Sequence, residues 1–305
     1  MATTGSGAKG GGAGTVGGAG GVSGAAGSNG GGGTTGGGGT TGGGTGGTTT
    51  TNPRRRDAGT GTSARDAGAD ASAPPPTTTP TGTAAASMVP LYTDPGDPSW
   101  TAIVTAKQAH PTVKVVAIVN PSNGPGGSRS QSYTSGIASL QAAGIAVIGY
   151  VATGYGSRAT ASVEADIDSW RSFYPTVSGI FFDEQSDQAQ FVPFYQTLSQ
   201  YAKSKGLTYT VGNPGTDTSE SYIGVFDTML IYESKGVSSI SALAGWHTKY
   251  PPSSFGVIPY GTPLDLTYVQ QARAYVEYIY LQNDDLPNPW DSLPSYFGDL
   301  LTALE

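Results

Sequence analysis

Three carboxylates at the ends of two apolar segments are the residues best suited to chemistry in this sequence. Asp183 and Glu184 end the run VSGIFFDE, and Glu233 ends the run TMLIYE. Glycoside hydrolysis needs such equipment, because one carboxyl group protonates the leaving oxygen while a carboxylate acts as nucleophile or base. A carboxylate at a strand end can also cap the helix that follows, so each acid taken alone has a structural explanation as well.

The segments that carry these acids belong to a regular alternation of strand and helix patterns. The predicted strands are SMVPLY, VKVVAIVN, IAVIGYV, VSGIFFDE, TYTVGN, TMLIYE, FGVIPYG and YIYLQND. The predicted helices are PSWTAIVTAKQAHP, SYTSGIASLQAAG, ASVEADIDSWRSFYP, AQFVPFYQTLSQYAKSKG, SISALAGWHTKYP, LDLTYVQQARAYVEY and PSYFGDLLTALE, with a loop and a short helix after TYTVGN. Pro193 fits the first turn of its helix, where a missing N–H costs nothing.

Continuously apolar strands indicate a sheet that is buried on both faces and therefore parallel. Eight strand–helix units predict a single (β/α)8 TIM barrel over residues 87–305. A doubly wound open sheet is the alternative. It is less favoured because no glycine-rich dinucleotide fingerprint follows the first strand.

In such a barrel the functional site lies where the strands end. Asp183 and Glu233 end strands four and six, so they are predicted to face each other across the mouth. Glu184 points away if the strand pleat persists, but it can turn inward where the strand stops. Nine further residues at or just beyond strand ends are predicted to bind substrate: Tyr92, Asn120, Tyr150, Tyr155, Arg158, Asn213, Tyr232, Tyr260 and Asp284.

These nine residues give the predicted mouth amides and phenols but few bases, which suits a neutral, hydroxyl-rich ligand. Structural explanations remain open for them. Asn120 and Asn213 each precede a proline and could simply form turns. The tyrosines could serve packing, and Asp284 could be solvated.

Several other chemistries are disfavoured by composition. The chain has no cysteine, which excludes disulfides and thiolate sites. Its two histidines, His110 and His247, fall on predicted helices, away from a catalytic triad or a histidine-rich metal site. The glycines of NPSNGPGG are not followed by Gly-Lys-Ser/Thr, so no phosphate loop is predicted. We therefore expect neither a cofactor nor a metal.

Residues 1–86 differ from the rest in composition and are predicted to be a disordered Gly/Thr/Ser/Pro-rich tail or linker. Five basic and three acidic residues give this tail a charge of +2, which leaves −9 for residues 87–305. The net negative charge of residues 87–305 disfavours nucleic acid as a partner. No apolar run approaches the ~20 residues of a membrane span. We expect a monomer, extracellular or tethered to the cell surface, whose export signal is not visible in this sequence.

Seven motifs in order resemble the spherulin-4-like proteins (spherulation-specific family 4), grouped with glycoside hydrolase family 135. They are VPLYTDPG, HPTVKVVAIVNPSNGPG, GIAVIGYVATGYGSR, GIFFDEQSD, VGNPG, YES and NPWDSLPSYF, between residues 89 and 297. The resemblance implies a (β/α)8 fold. It also implies endo-acting hydrolysis of an α-1,4-linked, N-acetylgalactosamine-containing microbial exopolysaccharide outside the cell.

The family's acidic pair after the fourth strand falls on Asp183 and Glu184, and its later glutamate falls on Glu233. The resemblance thus implies that Asp183 is the nucleophile or stabilising carboxylate and Glu233 the general acid/base. Glu184 is the alternative acid or a supporting group. Two other hypotheses remain: a non-catalytic glycan-binding protein that uses the same cleft, and a structural surface protein.

Overall fold

The structure, a computed structural model, describes residues 85–305. The predicted disordered tail lies outside the described residues except at Ala85 and Ala86, and Ala86 opens the first strand. Within residues 85–305, none of the helices combines the length and apolar character that a membrane span requires.

In the described part of the chain, eight parallel strands pair in chain order, and the eighth returns to the first to close a barrel. They are β1 (Ala86–Leu91), β2 (Lys114–Val119), β3 (Ala146–Ala152), β4 (Gly179–Asp183), β5 (Tyr209–Gly212), β6 (Thr228–Tyr232), β7 (Phe255–Val257) and β8 (Tyr278–Ile279). The predicted (β/α)8 barrel is confirmed. β8 is shorter than the predicted YIYLQND, although the Tyr280 and Gln282 amides still donate to Val257 and Pro259 beyond its end.

Within residues 85–305, seven α-helices connect and follow these strands. They are α1 (Pro98–Ala109), α2 (Gln131–Ala142), α3 (Thr160–Phe173), α4 (Val192–Ser204), α5 (Ile240–Leu243), α6 (Leu266–Ala272) and α7 (Phe297–Leu304). On α3, the predicted apolar face of Val163, Ile167 and Trp170 is fully buried. Pro193 lies in the first turn of α4, as predicted.

Two helices are shorter than the sequence patterns indicate. SISALAGWHTKYP forms only α5 and then a separate 3-10 turn at Trp246–Lys249, because Gly245 between them leaves the helical conformation. Glycine has the largest backbone entropy to lose in a helix, so it is a natural point of interruption. LDLTYVQQARAYVEY ends its helix at Ala272, because the chain must turn there to enter β8 six residues later.

The pleat of β4 decides which of its side chains reach the barrel interior. Phe181 lies beside Tyr150 of β3, with ring centroids 6.1 Å apart, whereas Phe182 packs outward against Phe226 at 5.6 Å. Because side chains two residues apart share a face, Asp183 follows Phe181 inward. The strand therefore delivers Asp183 to the open end of the barrel interior.

Candidate active site

Asn213 occupies the centre of the site. Its Nδ2 lies 2.7 Å from Asp183 Oδ1 and 2.6 Å from Glu233 Oε2, and one amide group can donate a hydrogen to each. The two carboxylate oxygens are therefore no farther apart than the sum of these distances, about 5.3 Å. Three consecutive strand ends, β4, β5 and β6, thus bring one acid, one amide and a second acid together.

Backbone hydrogen bonds fix the position of Asn213. Its N–H donates to Phe182 O at 2.9 Å, and its carbonyl accepts from Gln185 N at 3.0 Å. Its side-chain Oδ1 accepts from Gly215 N at 3.1 Å, a local turn typical of asparagine. Gly215 O in turn accepts from Glu233 N at 2.9 Å. Asn213 therefore has both a structural role and a role in the site. Its Oδ1 closes the predicted turn, and its Nδ2 bridges the two acids.

Trp290 supports Glu233 from the other side. Its indole Nε1 donates to Glu233 Oε1 at 3.2 Å, so each carboxylate oxygen has its own donor. The ring is buried, with Tyr260 at 6.2 Å and Tyr280 at 6.1 Å between centroids. Trp290 is not among the predicted site residues. The one signal for it in the sequence is its place in the motif NPWDSLPSYF.

Burial controls the charge of the two acids. Removal from water raises the pKa of Glu233 to about 7, and the charge of Asp183 adds to the rise against the opposing hydrogen bonds from Asn213 and Trp290. Burial also raises the pKa of Asp183, while hydrogen bonds from Tyr150, the Glu184 backbone and Asn213 oppose the rise. Asp183 receives more donors, so the pair favours one carboxylate at Asp183 and one proton on Glu233 near neutral pH.

Two phenols line the inner side of the pair. The rings of Tyr92 and Tyr150 meet edge to face at 5.6 Å, and the Tyr150 hydroxyl hydrogen-bonds Asp183. Burial, followed by the charge of Asp183, raises the pKa of both tyrosines well above the usual phenol range. Both therefore stay neutral and able to donate hydrogen bonds.

Glu184 leaves the strand in a left-handed conformation, with φ of 52°. This conformation is costly for a residue with a side chain, by about 1–3 kcal/mol, and such residues cluster at functional sites. The turn redirects its carboxylate, whose Oε2 accepts from Gly154 N at 3.0 Å in the loop after β3. Glu184 is thus close to Asp183 in the chain but is engaged with a neighbouring loop.

The other predicted substrate-binding residues lie at the mouth in different settings. Asn120 Oδ1 accepts from Gly124 N at 2.8 Å and closes its own turn. Arg158 donates from Nη1 to Ala152 O at 2.6 Å and pairs through Nη2 with Asp166 at 2.9 Å, so its guanidinium ties the β3 loop to α3. The Asp284 carboxylate accepts a hydrogen bond from Ser292.

Tyr232 and Tyr260 lie on the β6–β7 side of the mouth. The Tyr232 hydroxyl donates to Gly236 O at 3.0 Å, while the Tyr260 ring packs on Trp290. Their contact with a substrate stays a prediction, as it does for Asn120, Arg158 and Asp284. Among the residues that the structure describes, no group of three or more His, Cys, Asp or Glu side chains is placed to hold a metal ion.

The fold and the site define a (β/α)8 barrel protein with paired carboxylates at the ends of its strands. Comparison with known proteins identifies its family. Residues 87–304 match the sequence profile of spherulation-specific family 4 (Spherulin4), and the chain belongs to this family. Spherulin-4 from Physarum polycephalum is 39% identical over 169 residues, which are 55% of this chain. The chain spans half the length of that relative, since the match covers 50% of it.

Among solved structures, Aspergillus clavatus Sph3 in complex with GalNAc has the same fold. It matches with a TM-score of 0.65 and 23% sequence identity, and the alignment covers 73% of this chain and 98% of that one. At this identity the likeness establishes the barrel and leaves the activity of this chain to be argued from its own residues.

Proposed function

We propose that this protein hydrolyses glycosidic bonds within a neutral polysaccharide, with Asp183 and Glu233 as the working pair. The observation that carries the proposal is the bridge through Asn213, which holds two carboxyl groups within about 5.3 Å at the open end of the barrel. Retaining glycosidases place their two carboxyl groups about 5 Å apart, whereas inverting enzymes separate them by about 6.5–9.5 Å. The short spacing favours a double displacement.

In the first step, protonated Glu233 gives its proton to the glycosidic oxygen while a carboxylate oxygen of Asp183 bonds to the anomeric carbon. The bond from that carbon to the leaving oxygen breaks, and its electron pair goes to the new hydroxyl group. A pKa of about 7 suits Glu233 to this role, because it holds its proton near neutral pH and still releases it readily.

In the second step, the Glu233 carboxylate takes a proton from water as the water oxygen attacks the anomeric carbon. The ester bond to Asp183 breaks and returns Asp183 to its carboxylate form. The hydrogen bonds from Asn213 and Tyr150 to Asp183 are strongest when that group is charged. They therefore favour the departure of the sugar.

The polar groups around the pair support a carbohydrate substrate. The neutral phenol of Tyr92 offers a donor to sugar hydroxyls, and the exposed ring of Tyr155 offers an apolar face. The family resemblance and the N-acetylgalactosamine bound to Sph3 direct the proposal to an α-1,4-linked, N-acetylgalactosamine-containing exopolysaccharide. Such a polymer lies outside the cell, so we also propose an extracellular or surface location.

The test is release of reducing ends from α-1,4-linked N-acetylgalactosamine polysaccharide by the purified chain. We expect Asp183→Asn and Glu233→Gln to reduce turnover by at least about 1,000-fold while the barrel stays folded by circular dichroism. Asp187→Asn, an exposed carboxylate on the loop after β4, is the matched control and should keep its rate. Wild-type turnover in both site variants would refute the assignment. Binding of the glycan without any cleavage would instead support a non-catalytic glycan-binding protein.

A further inference from the structure

Glu184 is clamped from both its main chain and its side chain. Its carbonyl oxygen accepts from Tyr155 N at 2.7 Å, and the Thr153 hydroxyl oxygen lies 2.7 Å from the same atom. Its carboxylate Oε2 accepts from Gly154 N at 3.0 Å. The Tyr195 hydroxyl also donates to this carbonyl oxygen, at 3.3 Å. The side chain and the carbonyl of one residue thus engage two successive amides of the β3 loop.

Those two amides belong to a turn that needs such support. Gly154, Tyr155 and Gly156 have φ angles of 59°, 54° and 83°, three left-handed residues in succession. The two glycines accept this conformation freely, but Tyr155 does not. A Cβ at Gly156 would lie 2.5 Å from the Phe191 ring, so Phe191 packs tightly beneath the turn. The hydrogen bonds from Gly154 N and Tyr155 N to Glu184 join this turn to the end of β4 and help to hold the tyrosine in its unfavourable conformation.

The strained turn places an exposed aromatic ring, that of Tyr155, beside the acids. Tyr155 is 52% exposed, whereas Tyr92 and Tyr150 at the same mouth are largely enclosed by protein. Its phenol is close enough to Glu184, Asp183 and Glu233 for their charges to add to the rise in its pKa that burial causes. Within residues 85–305, the Tyr155 ring forms none of the ring–ring contacts that hold Tyr92 and Tyr150.

We propose that Glu184 is a positioning residue, whose carboxylate holds the Gly154–Gly156 turn so that Tyr155 forms an aromatic platform for a sugar ring next to the cleaved bond. The inference rests on the proposed function and assigns Glu184 a task distinct from proton transfer. For this task Glu184 must accept a hydrogen bond from Gly154 N, and it need not hold or release a proton.

The proposal predicts different activities for Glu184→Gln and Glu184→Ala, whereas an acid/base role for Glu184 predicts a similar loss in both variants. Glu184→Gln keeps a carbonyl oxygen that can accept from Gly154 N, though a neutral acceptor bonds less strongly, so kcat/KM should fall by less than about tenfold. Its pH profile should keep the wild-type shape. Glu184→Ala removes the acceptor, and KM should rise by about tenfold or more as the platform is lost. Glu233→Gln, measured alongside, gives the loss expected of a proton donor.

Three further variants test the platform itself. Tyr155→Ala should raise KM to the same extent as Glu184→Ala, and Tyr155→Phe should keep a near wild-type KM because the ring remains. The double variant Glu184→Ala/Tyr155→Ala should be no worse than Tyr155→Ala alone, since both changes remove one interaction. Gly156→Ala disturbs the turn without touching either carboxylate and should also raise KM.

The proposal is overturned if Glu184→Gln loses as much activity as Glu233→Gln and one limb of its pH profile disappears. It is also overturned if Tyr155→Ala leaves KM unchanged. If the wild-type chain cleaves nothing, the proposed hydrolysis fails, and equilibrium binding of α-1,4-linked N-acetylgalactosamine oligosaccharides becomes the readout. Weaker binding by Tyr155→Ala and Glu184→Ala, with affinity retained by Glu184→Gln, would then support the platform. Equal affinity in all variants, or no binding by the wild type, would overturn it.

Discussion

The indole nitrogen of Trp290 donates a hydrogen bond to Glu233 at 3.2 Å, although the two residues are 57 positions apart in the chain. The bond joins the end of β6 to the segment between β8 and α7. It stabilises the charged form of Glu233, and this opposes the effect of burial on the pKa of that carboxyl group. Trp290 therefore helps to set the pH at which Glu233 can give up a proton.

Trp290→Phe should keep the ring packing and remove the donor. Without the hydrogen bond the pKa of Glu233 should rise, so the alkaline limb of the kcat/KM profile should move to higher pH. The carboxylate that forms as Glu233 gives up its proton would also lose this donor. Because hydrogen bonds to charged groups contribute about 1.5–3 kcal/mol, kcat/KM on the plateau below the alkaline limb should fall about tenfold or more. Trp246→Phe is the matched control, since its indole donates at 3.3 Å to Asp217, a carboxylate that is not one of the proposed catalytic acids. Equal effects of the two variants would contradict the assignment.

Asn213→Ala should remove the donors to both acids at once. The hydrogen bonds from Asn213 lower the pKa of Asp183 and of Glu233, so both pKa values should rise and the whole pH–rate profile should shift upward. Turnover should drop by about 100- to 1,000-fold, the usual loss of a donor aimed at developing charge. Asn283→Ala, an exposed amide on the loop after β8, should behave as wild type. An unshifted profile for Asn213→Ala would show that the bridge is not important for the acids.

The spacing of the acids predicts the stereochemistry of the product. Two oxygens within about 5.3 Å leave no room for a water molecule to attack between sugar and base, so the anomeric configuration should be retained. Proton NMR of the first product formed from an α-linked substrate should show the α-anomer before mutarotation. Initial appearance of the β-anomer would indicate inversion and rule out Asp183 as a nucleophile.

The elevated pKa of Glu233 should appear in the stability of the protein. The value is about 7 in the folded chain against a reference of 4.5, so the contribution is fully present below pH 4.5 and is lost as pH rises through 7. The loss is on the order of 3 kcal/mol. Glu233→Gln cannot ionise, so its free energy of unfolding, measured with urea at pH 5 and pH 8, should fall less than that of the wild type. Identical pH dependence in the two proteins would argue against a raised pKa.

Gly149→Ala tests how the barrel holds Tyr150. An added Cβ would lie 2.4 Å from the Trp170 ring, whose indole donates to Tyr150 O at 2.8 Å. The overpacking should lower the free energy of unfolding by about 1–3 kcal/mol. Gly298→Ala in α7 has no atom within 4 Å of the added Cβ and should be neutral or slightly stabilising. Thermal unfolding of both variants distinguishes the two sites, and a stable Gly149→Ala would show that Trp170 can move.

Much of the fold follows from local patterns in the sequence. Continuous apolar runs predicted the eight strands, because a strand buried on both faces has no polar position. The end of GIFFDE could be recognised for the same reason, since acids appear where burial stops. Strand order alone predicts that Asp183 and Glu233 lie on facing strand ends. The predicted lengths of α5, α6 and β8 were wrong. A pattern of apolar residues along the chain does not show where the chain must turn to enter or leave the barrel.

The barrel, the strand ends and the residue types available at the mouth can be read from the order of residues, because they depend on burial and on chain order. The hydrogen-bond partners of the three acids emerge only when the chain is folded. Asn213 bridges Asp183 and Glu233, Trp290 donates to Glu233, and Glu184 turns away to hold the loop that carries Tyr155. Hydrogen bonds between distant segments depend on distances of a few tenths of an ångström and on a single left-handed turn. No pattern of residue types along the chain specifies either.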